Sequence, residues 1–212
     1  MTDYLTIARD GQAEIEVKRS RFLCTLHRVE DETAARALVE HTRKRHGDAR
    51  HHCSAFVIGP PPTILERSSD DGEPAGTAGS PMLEVLRGHA GRGVLDVVAV
   101  VTRWFGGTLL GAGGLVRAYS EAVRVALDEV GTIRRELVRE YTLAAAYDAA
   151  GRLETDLRNA GVAVLDTSYG AAVTLRVGAP PAEEARLAAL VAELTAGSGI
   201  LEPGRERWVD QT

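Results

Sequence analysis

The chain has 212 residues, which is enough for one large domain or two small ones. Apolar residues make up 44% of it and charged residues 26%, and no apolar run approaches the length of a membrane-spanning helix. The net charge is −5, with −1 on residues 1–136 and −4 on residues 137–212, which argues against a protein that coats itself in nucleic acid. Any phosphate-binding surface is therefore expected in the first part.

The location predicted from the sequence is the cytoplasm. The N-terminus lacks the basic and apolar regions of a signal peptide, and no membrane partner is expected. The two cysteines, Cys24 and Cys53, lie in apolar strand-like runs and are expected to be reduced and buried.

Residues 1–136 alternate between strand and helix patterns. Strands are predicted at 14–18, 21–29, 51–58 and 94–102, and helices at 33–45, 80–88 and 115–130. Asp31 or Thr33 is the expected cap of the first helix, and Ser80-Pro81 is typical of a helix start. The polar stretch 66–79 predicts a loop.

The second part has its own pattern. Strands are predicted at 137–145, 162–167, 171–177 and 200–209, with one helix before the central hairpin and one after it. The order βαββαβ is the ferredoxin-like arrangement. The fold class is therefore α/β (α+β), with domains at 1–136 and 137–212 and a boundary near 134–137.

A glycine-rich segment follows the apolar strand 94–102. Arg103, Trp104 and Phe105 come first, and then five glycines precede a helix, at 106, 107, 111, 113 and 114. Such a loop at a helix N-terminus can bind an anion through backbone amides, or it can be a tight connection only. Either aromatic ring packs in the core or, if exposed, stacks on a base or a partner.

A second segment of this kind begins with carboxylates. Asp70, Asp71 and Glu73 group three acids on a loop, which could hold Mg²⁺ or form a plain turn. The sequence Gly76-Thr77-Ala78-Gly79 then leads into another helix start. The two glycine-rich segments could line one cleft. No other cofactor is expected.

The run from Arg50 to Cys53 contains two adjacent histidines. On a strand His51 shares a face with Cys53 and not with His52, which disfavours a zinc site. One histidine facing a polar cleft is the favoured interpretation. A Cys/His nucleophilic site would need Cys53 to be exposed.

Four ordered motifs resemble the YigZ/IMPACT family over about residues 14–130. They are Ser20-Arg21-Phe22, 49–55 (ARHHCSA), 69–79 (SDDGEPAGTAG) and 103–119 (RWFGGTLLGAGGLVRAY). Ala75 and Trp104 stand where the family usually has serine and tyrosine. Residues 137–209 resemble, by pattern, the C-terminal domain of the bacterial YigZ branch.

The resemblance implies a fold for each domain. The N-terminal domain would have the ribosomal-protein/elongation-factor-G domain IV type of fold, and the C-terminal domain would resemble domain V of that factor. The eukaryotic IMPACT relatives regulate translation by binding a partner of the amino-acid-starvation kinase. Nucleic-acid or ribosome binding is the usual inference for the bacterial branch.

Three functions are compatible with the sequence. The first is a translation-linked regulatory binding protein that contacts RNA phosphates or a ribosome-associated partner through a Gly/Arg-lined cleft. The second is a regulator that binds protein only, and the third a Mg²⁺-dependent enzyme acting on a phosphorylated or nucleotide substrate. Because no complete nucleophile–base–orienter set is present, the enzyme ranks last. The candidate ligand-binding residues are Arg50, His51, His52, Asp70, Asp71, Glu73, Gly76, Thr77, Gly79, Arg103, Trp104, Phe105, Gly106, Gly107, Gly111, Gly113, Gly114 and Arg117.

Overall fold

The computed structural model describes residues 3–60 and 62–211. They form two compact units, Asp3–Arg134 and Arg135–Gln211. Both units combine strands and helices, which confirms the mixed α/β class. No helix within these described ranges is both long and apolar enough to cross a membrane.

The first unit is built on one antiparallel sheet. Its elements are β1 (Asp3–Ile7), β2 (Gly11–Val17), β3 (Ser20–Arg28), α1 (Glu32–Arg45), β4 (His51–Ile58), β5 (Leu65–Ser69), α2 (Gly79–Gly88), β6 (Val97–Trp104) and α3 (Ala112–Val130). The sheet order is β2-β3-β6-β4-β5. β1 meets the chain just before β6 through a parallel bridge between Leu5 and Val94.

Helices cover both faces of this sheet. α2 and α3 pack on one face over a core that includes Phe22, Cys53 and Val101, and α1 packs on the other over Phe56 and Val100. β6 lies in the centre and is buried along almost its whole length. Its near-continuous apolar sequence is the pattern of a strand covered on both sides.

Local signals located most elements of this unit correctly. Asp31 caps α1, accepting a hydrogen bond from the Ala34 amide at 2.8 Å. The prediction of a loop over 66–79 is wrong at its start, because β5 pairs with β4 as an edge strand. Ser80 does not cap α2 either, since the helix begins at Gly79 and its N-cap residue is Ala78. α3 begins three residues earlier than predicted, inside the glycine-rich segment.

The second unit has the predicted βαββαβ order. β7 (Thr132–Ala145) starts in the first unit and is followed by α4 (Tyr147–Asn159), β8 (Ala163–Tyr169), β9 (Val173–Ala179), α5 (Glu184–Leu194) and β10 (Leu201–Gln211). β9 pairs with both β7 and β8, and β10 also pairs with β7. This connectivity is ferredoxin-like. Leu143, Leu157 and Leu175 are fully buried in its core.

Candidate functional site

The loop after β5 wraps around the carboxylate of Asp70. One carboxylate oxygen of Asp70 accepts hydrogen bonds from the amides of Ala78 and Gly79 at 3.0 and 2.8 Å, and the other accepts from the Gly76 amide at 2.8 Å. The N-terminus of α2, which the sequence made a candidate for an external anion, therefore holds an anion of the chain itself. A Cβ on Gly79 would lie 2.7 Å from the Ser69 amide nitrogen, so the close approach of the start of α2 to the end of β5 requires glycine at this position.

The Asp70 carboxylate gives an acid-sensitive element to the first unit. Burial acts to raise the pKa of Asp70, but the amides of Gly76, Gly79 and Ala78 outweigh burial and hold it below its ordinary value. A group whose pKa is depressed by folding stabilises the fold above its unfolded pKa and loses that contribution as the pH falls through its folded pKa.

We therefore expect the urea midpoint of the protein to fall below about pH 4, and Asp70→Asn to flatten that fall while lowering the midpoint at pH 7. Urea titrations at a series of pH values measure both effects. Asp128→Asn, an exposed carboxylate with no partner in the described ranges, is the control. An acid limb that is equally steep in Asp70→Asn and in the wild type would contradict the assignment.

Glu73 and Arg103 form a buried ion pair between the two glycine-rich segments. The distance from Arg103 Nη1 to Glu73 Oε1 is 2.5 Å, and the two side chains are 7% and 4% exposed. The Tyr119 hydroxyl, from α3, donates to the same carboxylate oxygen at 2.8 Å. The ring of Phe22 lies under the guanidinium and against Tyr119. The two segments thus meet through this ion pair, and the buried Nε of Arg103 is left without a hydrogen-bond partner among the described residues.

Asp71 connects the same loop to β4 and α1. Its carboxylate accepts from Arg43 at 2.9 Å and from the His52 amide at 2.6 Å, while its carbonyl contacts Nδ1 of His51 at 2.9 Å. Burial acts to raise the pKa of Asp71, but the bonds from Arg43 and the His52 amide hold it below its usual range.

The three carboxylates of the loop consequently point to different partners. In residues 3–60 and 62–211 no group of three or more His, Cys, Asp or Glu side chains could hold a metal ion. The arrangement supports neither the Mg²⁺ site on 70–73 nor a zinc site at 51–53.

Cys53 is buried beneath this loop. Its thiol contacts the Asp70 carbonyl at 3.0 Å and the Tyr119 hydroxyl at 3.3 Å. Burial raises the pKa of the Cys53 thiol to about 12, against the lowering effect of the Tyr119 hydrogen bond. Because the thiolate is the reactive form, Cys53 does not meet the condition set for a nucleophile.

The glycines after β6 have separate roles. A Cβ on Gly106 would lie 2.0 Å from the Arg19 carbonyl carbon, and the Gly106 amide donates to Ser20 Oγ at 3.1 Å. Gly107 and Gly111 have φ of 82° and 71°, which glycine alone adopts easily. Gly113 and Gly114 lie in the first turn of α3, and their amides have no acceptor among the described residues.

The two aromatic residues differ in exposure. Trp104 is fixed by a hydrogen bond from its Nε1 to Asp48 at 2.8 Å and by the Arg21 guanidinium over its ring. Phe105 is 53% exposed and Leu109 is 83% exposed. The ring free to contact a partner is therefore that of Phe105.

A groove of about 520 Å³ runs beside the start of α3. It is lined by Val17, Lys18, Leu110, Gly114, Val116, Arg117, Ala118, Ser120, Glu121 and Arg124. Arg124 is paired with Glu121 at 3.4 Å, whereas Lys18 and Arg117 make no ion pair with any described residue. This basic groove adjoins the unbonded amides of the first turn.

The remaining candidates lie elsewhere. Thr77 is buried and its hydroxyl donates to the Pro74 carbonyl at 2.7 Å. Arg50 is exposed ahead of β4 and makes no hydrogen bond or ion pair within the described part of the chain. Gly76 lines a different groove, between α2 and α3.

Sequence reasoning missed four partners in this region. They are Lys18, Ser20, Arg43 and Tyr119. Ser20 and Tyr119 stand in motifs that carry the family resemblance, but no pattern gave either of them a role in the site, and Lys18 was predicted only as the end of the strand 14–18. Each becomes visible only when the sheet register is known.

Comparison with known proteins places these residues in a family. A family model described as "Impact N-terminal domain" matches residues 18–127, and a second, "Domain of unknown function (DUF1949)", matches residues 143–198. The "IMPACT family member YvyE" of Bacillus subtilis is 38% identical over 98% of this chain and 94% of its own length. The chain belongs to the IMPACT family.

Other members agree with this assignment. The "IMPACT family member YigZ" of Escherichia coli is 44% identical over 86% of this chain and 89% of its own. A solved structure titled "Crystal structure of an hypothetical protein" is 42% identical, covers 95% of this chain and 97% of its own, and has a TM-score of 0.63. Every candidate residue of the IMPACT protein described here lies within the span 18–127.

Proposed function

We propose that this IMPACT family member is a translation-linked regulatory binding protein whose first unit contacts RNA phosphates on or near the ribosome. The observation that carries the proposal is the basic groove beside the open first turn of α3, where Lys18 and Arg117 have no acidic partner among the described residues. Lysine and arginine side chains and helix N-terminal amides are the groups that contact phosphates in nucleic-acid complexes. The link to translation is taken from the family resemblance.

The turn between β2 and β3 supports this role. Lys18 and Arg19 form a two-residue hairpin loop and both have positive φ, 48° and 66°, where glycine or asparagine is usual. The Arg19 guanidinium donates to Thr108 Oγ1 at 3.2 Å, which joins this loop to the glycine-rich segment. Strained backbone of this kind clusters at binding sites, where it positions side chains.

Removing the positive charges of Lys18 and Arg117 should lower the affinity for RNA and also make that affinity less dependent on salt. For Lys18→Gln/Arg117→Gln we expect about tenfold weaker binding to ribosomes or a single-stranded RNA. The slope of log K against log salt should become shallower by about 1.4, since each lost phosphate contact contributes about 0.7. Fluorescence anisotropy at several salt concentrations measures both quantities.

The matched control removes two exposed cations outside the groove, in Lys44→Gln/Arg152→Gln. This control should bind like the wild type. Equal weakening in both double variants would show a non-specific charge effect and would reject the groove as the contact surface.

A protein-only regulator is the second candidate, because Phe105 and Leu109, four residues apart in the sequence, are both exposed. Exposed apolar side chains of this size are typical of contacts with a protein partner. Phe105→Ala/Leu109→Ala would abolish a protein contact and leave the salt-dependent RNA binding in place, which separates the two functions.

A further inference from the structure

A second polar pocket lies under α1, on the face of the first sheet opposite to the one that α2 and α3 cover. Its volume is about 360 Å³. It is lined by Arg36, Val39, Glu40, Arg43, His52, Ser54, Phe56, Arg67, Ser68 and Ser69. α2 and α3 do not contribute to it, so it is separate from the basic groove.

Strand register explains why polar groups collect there. Along β4, Cys53 and Ala55 point to the core under α2 and α3. His52 and Ser54 point the other way and face α1 together with Phe56. Arg67 and Ser69 on β5 stand directly opposite Phe56 and Ser54, so they share that face. Arg36 and Arg43 reach the same pocket from α1, two turns apart.

Among the described residues, three guanidinium groups therefore line this pocket with one carboxylate, that of Glu40. Arg43 is paired with Asp71 at 2.9 Å and with Glu40 at 3.7 Å, and Arg36 is paired with Glu32 at 2.6 Å. Arg67 has no carboxylate partner among the described residues and donates only to the Glu66 carbonyl, at 2.9 Å. Because each guanidinium carries five N–H donors, all three retain unused ones.

Two buried side chains at the floor of the pocket are incompletely satisfied. Ser54 is 7% exposed, and its hydroxyl has no hydrogen-bond partner in residues 3–60 and 62–211. His52 is 2% exposed; its Nδ1 contacts Thr102 Oγ1 at 3.2 Å, and no described residue contacts its Nε2. Neither atom is among the fully buried polar atoms that lack a partner in the described residues, so both are open to the pocket and available to a ligand there.

We propose that this pocket binds a phosphate monoester, with Arg67 and Arg43 holding the phosphoryl oxygens and Ser54 donating from the floor. A monoester carries close to two negative charges and three strong acceptor oxygens, which match the spare donors better than a carboxylate does. The volume is at the lower end for ligand pockets and accommodates a phosphoryl group with a small organic part. This site is independent of the proposed function, because none of its residues lines the basic groove.

Calorimetric titration of the full chain tests the proposal. Ribose 5-phosphate and inorganic phosphate should bind in low-salt chloride buffer, and ribose should not. Arg67→Gln should weaken ribose 5-phosphate binding by about tenfold, because it removes a charged donor from an exposed edge strand without touching the core. Ser54→Ala should weaken it several-fold, whereas Lys44→Gln, an exposed neighbour on α1 outside the pocket, should change it less than twofold.

A 5′-phosphorylated RNA tetranucleotide and its 5′-hydroxyl counterpart distinguish the source of the monoester. Binding of the phosphorylated tetranucleotide would assign the pocket to an RNA terminus, and binding of ribose 5-phosphate alone would assign it to a small metabolite; either result supports the phosphate site. No heat with any phosphate compound at millimolar concentration, or equal affinity of Arg67→Gln and Lys44→Gln, would overturn it. Lys18→Gln/Arg117→Gln should bind ribose 5-phosphate normally, which keeps this test distinct from that of the basic groove.

Discussion

Replacing Arg103 by alanine should lower the free energy of unfolding by about 3–5 kcal/mol, because it leaves the Glu73 carboxylate buried without its cation. Glu73 would keep the Tyr119 hydrogen bond at 2.8 Å, but one hydroxyl does not replace a guanidinium at 2.5 Å. The space over the rings of Phe22 and Phe105, which the guanidinium occupies, would also be left empty. Urea unfolding at pH 7 measures the loss.

Two further variants should show that the lost free energy of unfolding comes from the unpaired charge. Arg36→Ala breaks an exposed pair with Glu32 and should cost less than about 1 kcal/mol. Arg103→Met/Glu73→Gln removes both charges, keeps an acceptor for Tyr119, and should recover most of the stability lost in Arg103→Ala. If Arg103→Ala is as mild as Arg36→Ala, the ion pair is not buried as described.

This expectation changes the meaning of Arg103 as a candidate ligand-binding residue. The sequence showed an arginine between an apolar strand and a glycine-rich loop, and that position favours an anion contact. In the structure the anion is Glu73, supplied by the other glycine-rich segment. Loss of RNA binding in Arg103→Ala would therefore report unfolding, so Lys18 and Arg117 are the residues on which binding should be tested.

Periodicity and caps were enough to predict most of the local elements. The Asp31 cap of α1, the continuous burial of β6 and the βαββαβ order of the second unit each depend on residues close together in the chain. The edge strand β5 was missed because its own residues carry no strand pattern. Its sequence, Leu-Glu-Arg-Ser-Ser, is polar, and only pairing with β4 makes it a strand.

The contacts of the candidate site could not be derived in that way. Asp70 accepts hydrogen bonds from amides at the N-terminus of α2, and Glu73 forms an ion pair with Arg103, 30 residues away in the sequence. Both pairings follow from how β5, β4 and β6 lie side by side, which no local pattern encodes. The sequence therefore singled out segments that the structure brings together, but it did not predict that carboxylates of the chain itself bind the α2 amides and Arg103.

The glycines of the segment 106–114 give the sharpest test of which positions build the fold and which leave a surface open. Gly106→Ala would place a Cβ 2.0–2.4 Å from three backbone atoms of Arg19 and Ser20, which cannot move without breaking the β2–β3 hairpin. We expect it to lower the free energy of unfolding by more than about 3 kcal/mol. Urea unfolding measures this loss, and near-UV circular dichroism detects it if the variant no longer folds.

Gly113→Ala is the matched control, because a Cβ there meets nothing within 4 Å and the residue is helical. Alanine should leave stability unchanged or raise it by up to about 1 kcal/mol, since it favours the helix over glycine. The two variants add the same methyl group seven residues apart, and only Gly106→Ala should lower stability. Similar midpoints for both would mean that the close approach of Gly106 to Arg19 does not exist, and the surface formed by Lys18, Arg117 and the first turn of α3 would lose the contact that positions it.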